Sequence, residues 1–239
     1  MRGLLQDSGL SAARGSVERR QTGRVQGEEV FQAKGVRSKR VRIGGFQKQS
    51  LIEFPGAISA VVFTVGCNLR CPYCHNRQLI EPGLVEEVPE ETVFEHLLRN
   101  KGLLDAVVLT GGEPTLQEDI AEFLREVKSM GYLTKLETNG TRPYVLEELL
   151  SEGLLDVVAM DIKAPLDFGR YREVTGGVLS EEEFDGILRS IELLKGSGLE
   201  VEFRTTVVPG MISEEDLEQI RRAIGGFKHV IQRYRKPRR

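Results

Sequence analysis

The chain has 239 residues, of which 40% are hydrophobic and 29% charged, and its formal net charge is −3. This length favours one domain with a substantial core, and the near-neutral charge gives no reason to expect nucleic-acid binding. No apolar run is long enough to span a bilayer and no signal-peptide pattern begins the chain, so we expect a cytoplasmic protein without membrane contact.

The first 40 residues differ in composition from the rest of the chain. They contain nine Lys or Arg against four Asp or Glu, with scattered Gly, Ser and Gln and no sustained apolar period. Such a segment buries too little apolar surface to fold. We therefore predict a disordered basic extension at residues 1–40 and a folded domain at residues 41–239. A basic arm that contacts a partner, or a wrongly assigned start codon, would explain the same segment.

From residue 57 onward, short β-branched runs alternate with helical patterns. The runs predict six strands, at Ala57–Val65, Ala106–Thr110, Leu133–Thr138, Val157–Asp161, Val201–Val208 and His229–Arg233. Apolar residues spaced by three and four predict five helices, at Pro89–Asn100, Glu118–Met130, Pro143–Ser151, Glu181–Lys195 and Ser213–Ile224. Repeated strand–helix units indicate an α/β fold, a partial (β/α)6 TIM-like barrel, with a doubly wound sheet as the competing topology. Both folds place active-site groups at the carboxyl ends of the strands.

The only three cysteines, Cys67, Cys71 and Cys74, lie in a loop directly after the first predicted strand. An odd, tightly clustered set is poor material for disulfides and suits metal chemistry better. Iron–sulfur clusters are normally held by four thiolates, so three thiolates on a four-iron cluster leave one iron open to another ligand. The alternatives are reduced structural thiols or a zinc site completed by His75, although adjacent Cys74 and His75 are poorly placed to share one ion.

Glycine-rich and polar segments follow the second and third predicted strands. Gly111, Gly112 and Glu113 come after the second strand, and paired glycines let backbone groups approach a ligand closely. An ordinary turn has the same composition. The third strand ends at Glu137 and Thr138, just before an Asn-Gly turn that favours a left-handed conformation.

Charged residues mark the ends of the next two strands. Strand alternation places Asp161 and Lys163 on one face, which suits either a polar ligand or a plain ion pair. Arg204, in the fifth predicted strand, suits bidentate contact with a cofactor or partner group, or a structural salt bridge. We therefore expect the carboxyl ends of the strands to form one polar site around the cysteines.

These segments together resemble the radical S-adenosylmethionine (SAM) superfamily. The sequence CNLRCPYC at residues 67–74 matches its C-x3-C-x-aromatic-C signature, with Tyr73 at the aromatic position. The resemblance implies that Cys67, Cys71 and Cys74 hold a [4Fe–4S] cluster whose open iron binds the amino and carboxylate groups of SAM. It also implies reductive cleavage of a C–S bond of SAM, which yields methionine and a 5′-deoxyadenosyl radical.

Within that superfamily, residues 41–235 are most similar to the activating enzymes of glycyl-radical enzymes. The matching segments are GGEP at 111–114, ETNG at 137–140 in place of the more familiar DTNG, D-x-K at 161–163 and R-x-x-V-V-P-G at 204–210. The resemblance implies SAM binding and a monovalent cation near the SAM carboxylate. The implied cofactor-binding residues are Tyr73, Gly111, Gly112, Glu113, Glu137, Thr138, Asp161, Lys163 and Arg204.

The segment QSLIEFPG at residues 49–56 and the cysteine loop together most resemble anaerobic ribonucleoside-triphosphate reductase activating proteins. Pyruvate formate-lyase activating enzymes share the Pro-Gly pair and the Cys-His-Asn run. The resemblance implies removal of a hydrogen atom from a glycine of a separate large enzyme, whose loop would enter the open side of the barrel and meet Glu53 and Phe54. It implies a flavodoxin- or ferredoxin-type electron donor.

Two other functions stay open at this point. One is a radical SAM enzyme that acts on a small molecule, and the other is a non-catalytic zinc module. Because family members often continue beyond the sixth strand, we also expect the domain to be truncated at its C-terminus.

Overall fold

A computed structural model describes residues 40–235, and the predicted extension therefore lies outside the described residues except for Arg40. The described residues form one seven-stranded sheet in sequence order, with β1 antiparallel to β2 and every other pair parallel. Its strands are β1 (Ile43–Ser50), β2 (Ser59–Thr64), β3 (Ala106–Gly111), β4 (Leu133–Thr138), β5 (Val157–Asp161), β6 (Glu200–Val207) and β7 (Lys228–Arg233).

Six α-helices within residues 40–235 accompany this sheet. They are α1 (Glu90–Arg99), α2 (Ile120–Ser129), α3 (Pro143–Ser151), α4 (Phe168–Val174), α5 (Glu181–Gly196) and α6 (Glu214–Ile224). A doubly wound sheet reverses its strand order at a switch point, whereas this order runs without reversal. The partial (β/α)6 barrel is thus confirmed, and all six predicted strands and five predicted helices are present.

Two elements were missed in the sequence. The strand β1 has few apolar residues and is half exposed along much of its length, so it shows no clear alternation. It runs antiparallel because residues 51–58 are too short for a crossover connection. The helix α4 has only seven residues and begins where the Asp167 side chain accepts a hydrogen bond from the Arg170 amide at 2.8 Å.

The sheet has an outer apolar face and an inner face of mixed character. On the outer face, residues such as Val62, Val107 and Val158 pack with the helices in the main core. The inner face carries a small apolar cluster near the amino ends of the strands, formed by Phe54, Val61, Ala106, Val108 and Val157. This inner apolar cluster fills the lower part of the barrel. The carboxyl ends of the strands are therefore left to form a cavity.

Among residues 40–235, none of the helices combines the length and the apolar character needed to cross a membrane.

Candidate active site

A cavity of about 440 Å³ lies at the carboxyl ends of the parallel strands. The cysteine loop, which we define as residues 66–76, forms one wall, and residues of β2 to β7 form the others. Every predicted site residue except Glu113 lines it, namely Cys67, Cys71, Tyr73, Cys74, Gly111, Gly112, Glu137, Thr138, Asp161, Lys163 and Arg204. The structure thus brings together residues that are up to 137 positions apart in sequence.

The three cysteines are free thiols on the wall that the cysteine loop contributes. Backbone hydrogen bonds attach this loop to two other segments of the chain. The amide of Gly66 donates to the Leu79 carbonyl at 2.7 Å, and the amide of Arg70 donates to the Thr175 carbonyl at 3.0 Å. Each thiol therefore has a defined position relative to the strands.

Burial governs the acidity of the Cys67 and Cys71 thiols. It raises the pKa of Cys67 to about 11, although a hydrogen bond from the Leu69 amide acts against the rise, and it raises the pKa of Cys71 as well. Metal binding to such groups requires deprotonation and so releases protons. Three sulfur donors on one cavity wall suit an iron–sulfur cluster, in which each thiolate binds a different iron.

In the described part of the chain, no three His, Cys, Asp or Glu side chains converge closely enough to hold a single metal ion. His75 does line the cavity, next to Cys74.

Asn68 joins the cysteine loop to two other elements. Its side-chain oxygen accepts a hydrogen bond from Asn139 Nδ2 at 2.9 Å. Its nitrogen donates to Thr141 Oγ1 at 2.9 Å and to Glu183 Oε1 at 2.8 Å. Asn139 and Thr141 follow β4, while Glu183 lies in the first turn of α5. No local pattern in the sequence points to Asn68, because its partners lie more than 70 positions away.

Gly111 lets β3 approach β2 closely, and Gly112 lets the end of β3 approach the cysteine loop. A Cβ on Gly112 would lie 2.1 Å from the Gly66 carbonyl oxygen, and a Cβ on Gly111 would lie 2.3 Å from the Thr64 amide nitrogen. Gly111 also has a φ of +115°, which disfavours other residues. Close backbone packing therefore requires both glycines, and both also line the cavity.

Glu113 is buried behind the cavity and does not line it. Its carboxylate accepts hydrogen bonds from the Thr115 amide and hydroxyl at 3.1 and 2.6 Å, from the Thr138 hydroxyl at 2.7 Å, and from the Asn139 amide at 2.7 Å. Burial raises the pKa of Glu113, although these hydrogen bonds oppose the rise. The side chain thus connects the loops after β3 and β4.

Charged side chains of alternating sign line the wall formed by β4, β5 and β6. Lys163 Nζ lies 3.2 Å from Asp161 Oδ2, and Arg204 Nε donates to Asp161 Oδ1 at 3.0 Å. Arg204 Nη1 also donates to Glu137 Oε1 at 2.6 Å, while Glu137 Oε2 accepts from the Thr110 hydroxyl at 2.9 Å. Asp161 and Lys163 therefore form an ion pair and also face the cavity.

These groups keep one another charged. Burial would raise the pKa of Asp161, but Lys163 and Arg204 outweigh it and hold this pKa below its ordinary value. Burial likewise opposes the charge on Lys163 and on Arg204, yet the neighbouring carboxylates raise both of their pKa values. The wall therefore presents fixed charges of both signs to a ligand.

Tyr171, which was missed in the sequence, fixes the turn that carries Lys163. Its hydroxyl accepts from the Lys163 amide at 3.0 Å and donates to the Asp161 carbonyl at 3.3 Å. The side chain is fully buried, and burial raises the pKa of Tyr171. Tyr171 was missed because it lies in α4, a helix too short to show a clear apolar period in the sequence.

The cavity continues away from the cysteine loop. Glu53 lines it, whereas Phe54 is buried in the inner apolar cluster, so only one of the two expected partner contacts faces the cavity. Four further lining residues, in β6, in β7 and just after β7, were not predicted: Thr206, Gln232, Arg233 and Arg235.

Comparison with known proteins identifies the family. The sequence profile of the Radical SAM superfamily matches residues 61–224. A Methanocaldococcus jannaschii protein, provisionally named a glycyl-radical enzyme activating enzyme, is 40% identical over 76% of this chain and 75% of its own length. The pyruvate formate-lyase-activating enzyme of Clostridium pasteurianum is 33% identical over 79% of this chain and 78% of its own length.

Solved structures agree on the fold. Streptococcus suis SuiB bound to S-adenosylmethionine superposes with a TM-score of 0.55 at 17% identity, over 72% of this chain and 38% of SuiB. The chain thus spans well under half of that larger protein. Since the profile covers more than half of the chain and both curated relatives exceed 30% identity, the chain belongs to the radical SAM superfamily, which uses a [4Fe–4S] cluster and SAM, and within it to the glycyl-radical enzyme activating enzymes.

Proposed function

We propose that this chain holds a [4Fe–4S] cluster on Cys67, Cys71 and Cys74, binds SAM beside it, and forms a glycyl radical on a separate enzyme. The cavity carries the proposal, because it combines three thiols on one wall with fixed charges of both signs on another. When bound, a reduced cluster and SAM would supply one-electron cleavage of the sulfonium. The adenosyl fragment so released would become 5′-deoxyadenosine by taking one hydrogen atom from a glycine Cα, where the radical would remain.

The charged wall suits a ligand that itself carries both signs. SAM has one carboxylate together with an ammonium and a sulfonium group. We assign Lys163 to the carboxylate, with a monovalent cation held nearby by Asp161, while Glu137 and Arg204 complete the wall. Gly111, Gly112 and Thr138 contribute backbone and hydroxyl groups, and Tyr73 limits the access of water.

Removing the Lys163 charge should weaken SAM binding. Lys163→Met keeps an unbranched side chain of similar length but loses a charge-assisted contact, typically about 1.5–3 kcal/mol, so we expect Kd to rise about tenfold or more. Equilibrium dialysis on protein with equal iron content measures this. The control is Lys128→Met in α2, which removes the ion pair to Asp156 at 2.8 Å outside the cavity. Equal affinity in Lys163→Met and the control would remove Lys163 from the SAM site.

For the target, we propose a glycine of the anaerobic ribonucleotide reductase, on the basis of residues 49–56 and the cysteine loop. Pyruvate formate-lyase is the second candidate, because the Clostridium pasteurianum relative carries that activity in its name. In the described residues, β1 and β7 have no strand on their outer sides, so the sheet stays open for a protein loop. The electron would come from a flavodoxin- or ferredoxin-type protein.

The target can be identified by electron paramagnetic resonance. The reduced protein and SAM are incubated without oxygen with each candidate enzyme in turn, and the spectrum is recorded. We expect the doublet of a glycyl radical in the reductase, and no doublet once its radical glycine is replaced by alanine. A doublet in formate-lyase alone would replace the reductase as the target, whereas a doublet in neither enzyme, together with cleavage of SAM, would favour a small-molecule substrate.

A further inference from the structure

Lys135 is the most deeply buried charged side chain on the inner face of the described sheet that does not line the cavity. Its side chain is 4% exposed, and its neighbours in register are Val108 and Val157, which belong to the inner apolar cluster. Burying an ammonium group costs several kcal/mol unless it is well paired. An apolar residue would pack in this position without that cost. The presence of a buried lysine here therefore indicates a specific role for its ammonium group.

The polar contacts of the Lys135 ammonium group indicate what this role is. Its Nζ donates a hydrogen bond to the Glu53 backbone carbonyl at 2.7 Å. It also lies 3.5 Å from Glu137 Oε1 and 3.7 Å from Glu202 Oε2. The carbonyl is the shortest of the three contacts and the only hydrogen bond with good distance. Lys135 is therefore first of all an anchor for the segment that contains Glu53.

That segment, which we call the floor loop, comprises residues 51–56. Lys135 ties the floor loop to β4 at 2.7 Å, the Ile52 amide donates to Ser50 Oγ at the end of β1 at 3.4 Å, and Phe54 provides the apolar attachment of the loop. Leu51 and Ile52 are 71% and 85% exposed, while Glu53 lines the cavity. One side of the floor loop thus faces outward and the other faces the reaction space.

The floor loop and the cysteine loop lie at opposite ends of β2, because one precedes this strand and the other follows it. The proposed cofactors would occupy the end with the cysteines, so the floor loop bounds the part of the cavity that would remain for the substrate. Burial and the nearby Glu137 raise the pKa of Glu53, and the charge of Lys135 opposes that rise. Lys135 therefore influences both the position of the floor loop and the charge of its Glu53 carboxyl group.

We infer that Lys135 is a positioning residue for the protein substrate: it fixes the floor loop, and so sets how deeply the partner's glycine segment enters the cavity. The inference rests on the proposed function for its chemical consequence. Hydrogen transfer requires the glycine Cα within contact distance of its acceptor, and a misplacement of about 1 Å can cost about a hundredfold in rate. A loosened floor loop should therefore separate SAM cleavage from radical formation.

Lys135→Met tests this, because it keeps an unbranched chain of similar length and removes only the donor and the charge. The measured quantity is the ratio of glycyl radical formed to 5′-deoxyadenosine released, with the reductase or formate-lyase as partner. One hydrogen atom is transferred per cleavage, so a coupled enzyme gives about one. We expect the ratio in Lys135→Met to fall about tenfold or more, and Lys128→Met to keep the value of the unaltered protein.

Hydrogen exchange on the full chain provides a readout independent of activity. Amides of the floor loop should exchange about tenfold faster in Lys135→Met, with α2 and α6 unchanged, since loss of an anchor opens a segment locally. If the loss of Lys135 from the Glu137 and Glu202 carboxylates prevents folding, Lys135→Met combined with Glu202→Gln removes one of these two negative charges and still lacks the anchor.

The outcomes separate the two proposals. Unchanged exchange in the floor loop, or an unchanged coupling ratio, overturns the role of Lys135. If the unaltered protein fails to cleave SAM, the proposed function fails, and the exchange result still decides whether Lys135 anchors the floor loop.

Discussion

Alanine in place of Cys67, Cys71 or Cys74 should reduce bound iron from about four atoms per chain to nearly none, because a cluster with only two protein ligands is not retained. Each variant is prepared and reconstituted without oxygen. Iron and zinc are then measured, together with the visible absorption of the cluster. All three thiols lie on the same cavity wall, so the three variants should behave alike.

The matched control for these variants is His75→Ala. His75 also lines the cavity and follows Cys74 directly, but the proposed cluster does not use it. It should therefore keep the full iron content. Stoichiometric zinc in the unaltered protein, lost in His75→Ala as well as in the cysteine variants, would instead establish the zinc site that the sequence left open.

Gly112→Ala should have the second large effect. The new Cβ of residue 112 would lie 2.1 Å from the Gly66 carbonyl oxygen and 2.7 Å from the Gly66 carbonyl carbon. These are backbone atoms, which cannot relieve the clash by changing rotamer as a side chain can. The clash also disturbs the hydrogen bond from the Glu113 amide to the Gly66 carbonyl, which measures 2.7 Å. We expect the free energy of unfolding to fall by about 3 kcal/mol, the upper end of the usual cost of overpacking.

Urea unfolding of the variant measures this loss, and iron content reports on Cys67, the neighbour of Gly66. The control is Gly196→Ala at the end of α5, where a Cβ meets no atom within 4 Å. This control should be neutral or slightly stabilising, since alanine restricts the unfolded chain. Equal stability of Gly112→Ala and Gly196→Ala would show that the end of β3 and the cysteine loop can move apart without loss of folding free energy.

Regular elements and motif spacing could be read from the sequence. Alternation alone placed Asp161 and Lys163 on one face, and the structure pairs them at 3.2 Å. Short helices and strands without alternation could not be read in this way, as α4 and β1 illustrate. A period needs two or more turns or several alternating residues before it stands out.

Residues that act through distant partners escaped prediction for a different reason. Asn68 and Lys135 make their contacts with side chains or a carbonyl that only the fold brings close. Glu113 shows the converse problem. A carboxylate beside two glycines is typical of a ligand contact, yet here it points behind the cavity and joins two loops. Local sequence does not indicate which way such a side chain turns.

The alternating charges of the barrel affect how any mutagenesis of this site must be designed. The row continues beyond the cavity wall, and its members in order are Lys163, Asp161, Arg204, Glu137, Lys135, Glu202 and Lys228. A single neutralising change inside the row removes one of the two partners of each neighbour, and breaking a buried ion pair costs up to about 3–5 kcal/mol. Lower SAM affinity in Arg204→Leu would therefore mix a lost contact with the relaxation of Asp161 and Glu137. A double-mutant cycle, in which Glu137→Gln accompanies Arg204→Leu, is therefore needed. It separates the loss of SAM contacts from the loss of ion pairs within the row of charges.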